Sequence, residues 1–272
     1  MFASTPIPMA LAFHILGTSS SGNCSILESN GLKIMLDAGF PGPRLESSLQ
    51  KLGFSAPAID AILITHEHSD HCIGLASLLR QNPQLKVFAN RETARRIQST
   101  LKLRPNWQLF ETGETFDFRG VHITSIPIPH DAADPVGFAI DCPRGNGQPS
   151  KRITWLTDLG HATEVVRYHC AQADILVLES NYDDEMLDLS KRPLHLKQRI
   201  RGKHGHLSNH DACQLLLSLR EWKTSELFLG HLSKECNRTL LVDEMMNQIR
   251  QQKNELRITV VDPLEDDPVS TW

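Results

Sequence analysis

The densest chemistry in the chain lies in seven consecutive residues, Thr65-His66-Glu67-His68-Ser69-Asp70-His71. Neutral imidazole nitrogen and carboxylate oxygen are the donors that divalent transition metals accept. His66 and His68 stand two apart, so an extended backbone turns both rings to one side. Asp70 and His71 follow where the chain bends and can address a second point close by. A polar loop rich in histidine is the competing explanation. Three imidazoles and a carboxylate within positions 66–71, directly behind the apolar run Ala61-Ile62-Leu63-Ile64, favour ligation.

The same placement recurs. His130 follows the strand-like stretch 121–128, Asp158 follows 152–157, and His231 follows 227–229. Groups at neighbouring strand ends converge on one sheet edge, where loops held by a rigid scaffold carry function. Two donor sets result: His66, His68 and His130 for one cation, and Asp70, His71 and His231 for another, with Asp158 reaching both. Each set leaves a position open, as catalytic metal sites do. A closed structural zinc site would need four ligands, usually including cysteine.

The elements that must position these groups read coarsely from the sequence. Strands are expected at 11–16, 25–28 and 32–36, the last two joined by Ser29-Asn30-Gly31, whose Asn-Gly pair supplies the positive φ of a tight hairpin. The small residues Gly17 to Cys24 form either a polar turn or an oxyanion cradle. Asp37, at the end of the third strand, either orients a metal-bound imidazole or caps a turn. Helices are expected at 73–80, 91–101, 162–170, 208–221 and 238–253, with the outer face of 91–101 basic and solvated. Further strands are expected at 85–89, 136–142, 152–157, 175–178 and 257–261. Gly145-Asn146-Gly147 turns the 136–142 and 152–157 pair. Ser208 and Asp211 have the spacing of a capping box. Strands and helices alternate behind a hairpin-rich front, so mixed rather than purely parallel sheets are expected. One domain over 10–262 is expected, with flexible ends at 1–9 and 263–272.

At 272 residues and 40% hydrophobic, the chain can bury a proper core. A net charge of −4 means that the molecule as a whole does not attract polyanions, so any phosphate affinity must be local. Six cysteines without a C-x-x-C pair fit free thiols in a reducing compartment, and Cys72 reads as a small buried residue rather than a ligand. No leader and no run of membrane-spanning length is expected, so the reading is cytoplasmic and soluble.

The pattern at 66–71, with His130, Asp158 and His231 in order, resembles the metallo-β-lactamase superfamily. Gly17 to Cys24, Leu36 to Gly39, Thr157 to Gly160, Glu179 to Tyr182, Gly205-His206-Leu207-Ser208-Asn209 and Gly230-His231-Leu232-Ser233 resemble its YycJ/WalJ-like branch, related to ribonuclease Z and phosphoribosyl cyclic phosphodiesterase. The resemblance implies a four-layer αββα sandwich of two mixed sheets with metals along one edge. It implies Asp158 as the bridging carboxylate and a hydroxide shared by two divalent ions as nucleophile, with zinc by default and manganese or iron as alternatives. His206 corresponds to the histidine that protonates the leaving group, and Glu179 either orients it or pairs with a nearby arginine. Catalytic roles thus fall to Asp70, His206 and Glu179.

The substrate expected is a phosphodiester, with a nuclease on DNA or RNA foremost. Only 72 residues (159–230) separate Asp158 from His231, too few for the extra domain of β-CASP nucleases. Lys191, Arg192, Lys197, Arg199, Arg201 and Lys203 approach His206 and suit phosphate contacts. Ser20, Ser21, Asn23, Lys203, Ser208 and Asn209 are the candidate substrate-binding residues. The alternatives are a hydrolase of a small cyclic phosphodiester or thioester with the same metals, and a non-catalytic metal-binding regulatory module.

Overall fold

The computed structural model describes residues 11–144 and 148–271. In chain order, β1 (Leu11–Ser19), β2 (Gly22–Ser29) and β3 (Leu32–Leu36) form a meander, followed by α1 (Gly42–Lys51) and β4 (Ala61–Leu63). After β4 come α2 (Ser69–Cys72), α3 (Leu75–Gln81), β5 (Lys86–Asn90), α4 (Arg91–Thr100) and β6 (Asn106–Phe110). The second half begins with β7 (Thr115–Phe118), β8 (Val121–Pro127), β9 (Val136–Cys142) and β10 (Lys151–Leu156). It continues through α5 (Glu164–Gln172), β11 (Ile175–Glu179), α6 (Asp184–Leu189), α7 (Leu194–Arg201) and α8 (Asn209–Ser218). The last elements are β12 (Glu226–Gly230), α9 (Thr239–Met245), α10 (Asn247–Gln252), β13 (Arg257–Val260) and β14 (Val269–Thr271).

Two seven-stranded sheets result, ordered β14-β1-β2-β3-β4-β5-β6 and β13-β12-β11-β10-β9-β8-β7. Each is antiparallel at one end and parallel at the other, through β3–β4–β5–β6 and β10–β11–β12–β13. Period-two alternation gives both sheets two apolar faces. Along β3, Ile34 and Leu36 enter the layer between the sheets, while Met35 packs outward with Leu45 of α1 and Leu78 of α3. Along β11, Ile175 and Val177 face inward, while Leu176 and Leu178 meet α5 and α8. The layers are therefore helix, sheet, sheet, helix, the αββα sandwich expected from the sequence.

Several elements differ from the sequence reading. The small residues after Leu16 continue β1 and open β2, so the segment is a hairpin whose tip is Ser20 and Ser21. The tail expected to be flexible at 263–272 is not free over Val269–Thr271: β14 pairs antiparallel with β1, placing Ile15 opposite Val269. This covers an edge that would otherwise expose backbone donors. The helix expected over 238–253 is broken into α9 and α10 at Met246. Strands β6 and β7 and helices α1, α6 and α7 had no clear periodic signal. The turn at 145–147 and the stretch 1–9 lie outside the described residues. Among the described residues, no helix is long and apolar enough to cross a membrane.

Candidate metal centre

Parallel β3 and β4 end side by side, as do β10, β11 and β12, and the loops that leave these ends meet on one rim. Three residues there turn the chain with positive φ: Asp37 (55°), Asp158 (58°) and His231 (57°). Asp and His tolerate this region better than bulkier residues, at a local cost of about 1 kcal/mol or more. Glycine permits the closest approach. A Cβ on Gly39 would sit 1.7 Å from the Asp70 carbonyl oxygen, so the 66–71 turn rests directly on the end of β3.

His66 Nε2 lies 3.1 Å from His68 Nδ1, and His130 Nε2 lies 3.3 Å from the same atom. These three nitrogens form one donor cluster, and Asp70, His71, Asp158 and His231 form the other. Asp158 Oδ2 is 3.0 Å from His71 Nε2, while Oδ1 is 3.4 Å from His231 Nε2 and 3.7 Å from His130 Nε2. One carboxylate thus touches both sets. Asp70 Oδ2 is 3.6 Å from His71 Nε2 and 3.9 Å from His231 Nε2.

For His66, His71, His130 and His231 the far ring nitrogen is held by the protein, which fixes the tautomer and aims the inner nitrogen at the cluster. His71 Nδ1 donates to Asp37 Oδ2 at 2.8 Å, settling Asp37 as an orienting carboxylate. Thr65 links this pair to the strand: its backbone N–H donates to Asp37 Oδ1 at 2.8 Å, and its Oγ1 is 3.0 Å from His66 Nδ1. His130 Nδ1 donates to the Gly205 carbonyl at 3.2 Å. Buried Glu179 has two duties. Its Oε1 accepts from His231 Nδ1 at 2.7 Å and from His206 Nδ1 at 2.8 Å. Its Oε2 accepts from the backbone N–H of Leu159 at 2.6 Å and of Leu207 at 3.3 Å. No arginine pairs with Glu179 among the described residues.

Burial, with help from neighbouring imidazoles, holds His66 and His130 below the ordinary histidine range, so their lone pairs are available. Burial acts against His231, yet the Asp158, Asp70 and Glu179 carboxylates push it up to about 10. His71 is likewise raised, Asp158 and Asp37 outweighing burial. Burial would raise Asp158, but His231 and His71 hold it well below the usual carboxylate range. This electrostatic arrangement calls for positive charge at the rim. Asp158 Oδ2 and His231 Nε2 are buried with no aligned hydrogen bond, compensated only by ion-pair contacts to His71 at 3.0 Å and to Asp158 Oδ1 at 3.4 Å, and a cation between them would satisfy both. The donor set and these two atoms fit divalent metal ions. Cys72 takes no part, its Sγ donating to the Glu67 carbonyl at 3.2 Å.

The seven metal-ligand candidates are therefore brought together, with His206 and Glu179 beside them. His206 is partly exposed and its Nδ1 is 3.8 Å from Asp158 Oδ1. The proposed substrate residues divide. Ser20, Ser21 and Lys203 are exposed, and Asn181 donates to Ser20 Oγ at 3.1 Å, tying the hairpin tip to the rim. Asn23, Ser208 and Asn209 are instead buried and occupied internally. Asn23 Nδ2 lies 3.0 Å from His71 Nε2, and its Oδ1 accepts from Thr18 Oγ1 at 2.9 Å. Ser208 caps α8 through Asp211 N–H at 3.0 Å. Asn209 bonds Asn237 and Ser180. Thr18, Thr65 and Asn181 had no signal of their own in the sequence beyond lying in strand-end segments.

A two-sheet αββα sandwich that gathers imidazoles and carboxylates into two touching clusters at one rim defines a metallo-β-lactamase-type protein. Residues 33–232 match the beta-lactamase superfamily domain. Exodeoxyribonuclease WalJ of Streptococcus pneumoniae (serotype 2, strain D39) is 34% identical over 244 residues, 88% of this chain and 88% of its own. Exodeoxyribonuclease YycJ of Bacillus anthracis is 30% identical over 247 residues, 90% of this chain and 91% of its own. The metallo-β-lactamase fold protein YhfI of Bacillus subtilis superposes with a TM-score of 0.70 at 16% identity, over 97% of this chain and 100% of that one. The chain belongs to the beta-lactamase superfamily and, within it, to the family of these WalJ and YycJ proteins.

Proposed function

We propose that the protein is a divalent-metal-dependent phosphodiesterase acting on nucleic acid, an exonuclease on DNA like its WalJ and YycJ relatives. The observation that carries this reading is His206, fastened by Glu179 beside the carboxylate that touches both donor clusters. Cleaving a phosphodiester leaves an alkoxide that needs a proton, and an imidazole at the edge of the metal centre can hold one. Glu179 fixes the Nδ1–H tautomer of His206, leaving Nε2 for that proton. His66, His68 and His130 would hold one cation and Asp70, His71 and His231 the other, with Asp158 reaching both. When bound, such cations neutralise phosphate oxygen charge and lower the pKa of a water, which phosphoryl transfer demands.

Zinc is the proposed ion, with manganese and iron as alternatives for an all-nitrogen-and-oxygen donor set. All six cysteines are free thiols, which supports a reducing compartment such as the cytoplasm. The test is a panel of labelled DNA, RNA and cyclic nucleotides, screened against zinc, manganese and iron with the wild type and His68→Ala. Metal-dependent release of nucleotides from DNA ends, abolished in the variant, is the expected result. Turnover confined to a cyclic phosphodiester would overturn the nuclease assignment while keeping the metal centre.

A further inference from the structure

Of the six basic groups at 191–203, four are already engaged within the protein, which leaves Lys191 and Lys203 at its ends. Arg192 meets Glu235 at 2.9 Å, Arg199 meets Asp131 at 2.5 Å, Arg201 meets Asp188 at 2.6 Å, and Lys197 donates to the Asp188 carbonyl at 2.6 Å. Arg199 braces α7 against the loop after His130, Arg201 and Lys197 tie α7 to α6, and Arg192, just before α7, holds the loop after His231. The stretch 91–104 is different. It holds Arg91, Arg95, Arg96, Lys102 and Arg104 against one acid, Glu92, which Arg95 takes at 2.6 Å. Arg91, Arg96, Lys102 and Arg104 are exposed, and among the described residues their side chains meet no carboxylate and make no hydrogen bond.

Topology puts this stretch at the metal rim. β4 and β5 are parallel and end at the same edge, β4 in the 66–71 turn and β5 in Asn90. Asn90 caps α4 by accepting from Thr93 N–H at 3.0 Å, and its amide donates to the Asp134 carbonyl at 2.6 Å, in the loop that leaves His130. Thr112 holds the Asp134 side chain at 2.7 Å. α4 therefore starts beside the candidate site and runs back along the outside of the first sheet. Arg91 stands at the rim, and Lys102 and Arg104 at the far end. In a chain with 32 acidic and 28 basic groups, acids to neutralise this flank were not lacking. Clustered bare cations repel one another, and an anionic ligand relieves that repulsion.

We propose that the α4 flank, Arg91 to Arg104, binds the phosphate backbone of the nucleic acid that extends away from the cleavage site. The ten-residue helix is about 15 Å long, which at 3.4 Å per phosphate of one strand matches roughly four phosphates. The contacts are to backbone charge and read no sequence. This inference rests on the nuclease reading and adds where the uncut part of the strand lies.

The test compares the wild-type holoenzyme with a variant carrying Arg91→Ala, Arg96→Ala, Lys102→Ala and Arg104→Ala, all exposed positions outside the metal centre. The substrates are a duplex of thirty base pairs and bis(p-nitrophenyl) phosphate, over a range of salt concentrations. KM for the duplex should rise on the order of tenfold or more, and its log–log salt slope should flatten by up to about 3.6, four contacts at ~0.9 each. Turnover of the small ester should not change. A variant with unaltered duplex KM and salt slope overturns the proposal, and so does a flank that binds anionic lipid vesicles while duplex cleavage is indifferent to it. A wild type that hydrolyses the small ester but no polynucleotide instead removes the nuclease reading beneath it.

Discussion

Glu179 joins two imidazoles that have different jobs. One oxygen accepts from His231, a candidate ligand, and from His206, the candidate acid. Substituting each partner separates the jobs. Glu179→Gln cannot accept both N–H groups equally, so metal affinity should fall about 10–100-fold, as when other partners of metal-bound histidine are lost. His206→Ala should keep its metal content while kcat on DNA drops by roughly 10²–10⁴. On bis(p-nitrophenyl) phosphate, whose leaving group departs without a proton, the His206→Ala loss should be much smaller. Metal analysis alongside both assays decides this, and an equal loss on both substrates would remove the acid role. The ligand residues were legible in the sequence because their types are distinctive and each follows an apolar run. The double duty of Glu179 was not, since it depends on β11 and β12 being neighbours. The burial of Asn23, Ser208 and Asn209 has a related reason for being illegible: lying next to site residues in the chain does not say whether a side chain points into the pocket or beneath it.

At the level of elements, the site depends on how closely the end of β3 approaches the metal turn. Gly39 leaves no room for a side chain, and Ala38 N–H donates to the His71 carbonyl at 2.7 Å across the same contact. Gly39→Ala should therefore cost about 3 kcal/mol or more through overpacking and lower metal content together. Gly31 provides the contrast. It sits in the β2–β3 turn at φ 80° with open space around it, so Gly31→Ala should cost only about 1 kcal/mol through backbone strain and leave metal binding intact. Urea unfolding with metal analysis checks both, and equal behaviour of the two variants would contradict the argument. The Asn30-Gly31 turn was legible because its dipeptide dictates local geometry. β6, β7 and β14 were not: they are short, β6 and β14 sit at sheet edges and β7 at the edge of its own sheet, and partial exposure erases the alternation that marks a buried strand. The two interior sheets, whose strands are apolar on both faces, carried the fold signal.

For the molecule as a whole, the rim sets binding against stability. Asp70, Asp158 and Glu179 are packed together with imidazoles, and both Asp158 Oδ2 and His231 Nε2 are buried with no aligned hydrogen bond. Folding must desolvate these groups whether or not a cation is there to compensate. Chelation should therefore lower the melting temperature, and restoring metal at a thousandfold excess over Kd should return about 4 kcal/mol. In a chain of this size that is a shift of roughly 8–16 °C. Asp158→Asn sharpens the test. It removes the buried carboxylate that His71 and His231 hold ionised, so the chelated variant should melt below the chelated wild type, and added metal should raise it much less. Thermal scans of both proteins, with chelator and then with zinc or manganese, read the two effects separately. If chelation leaves the wild type unmoved, the rim is held by its own hydrogen bonds and the cations are not part of its folding energy.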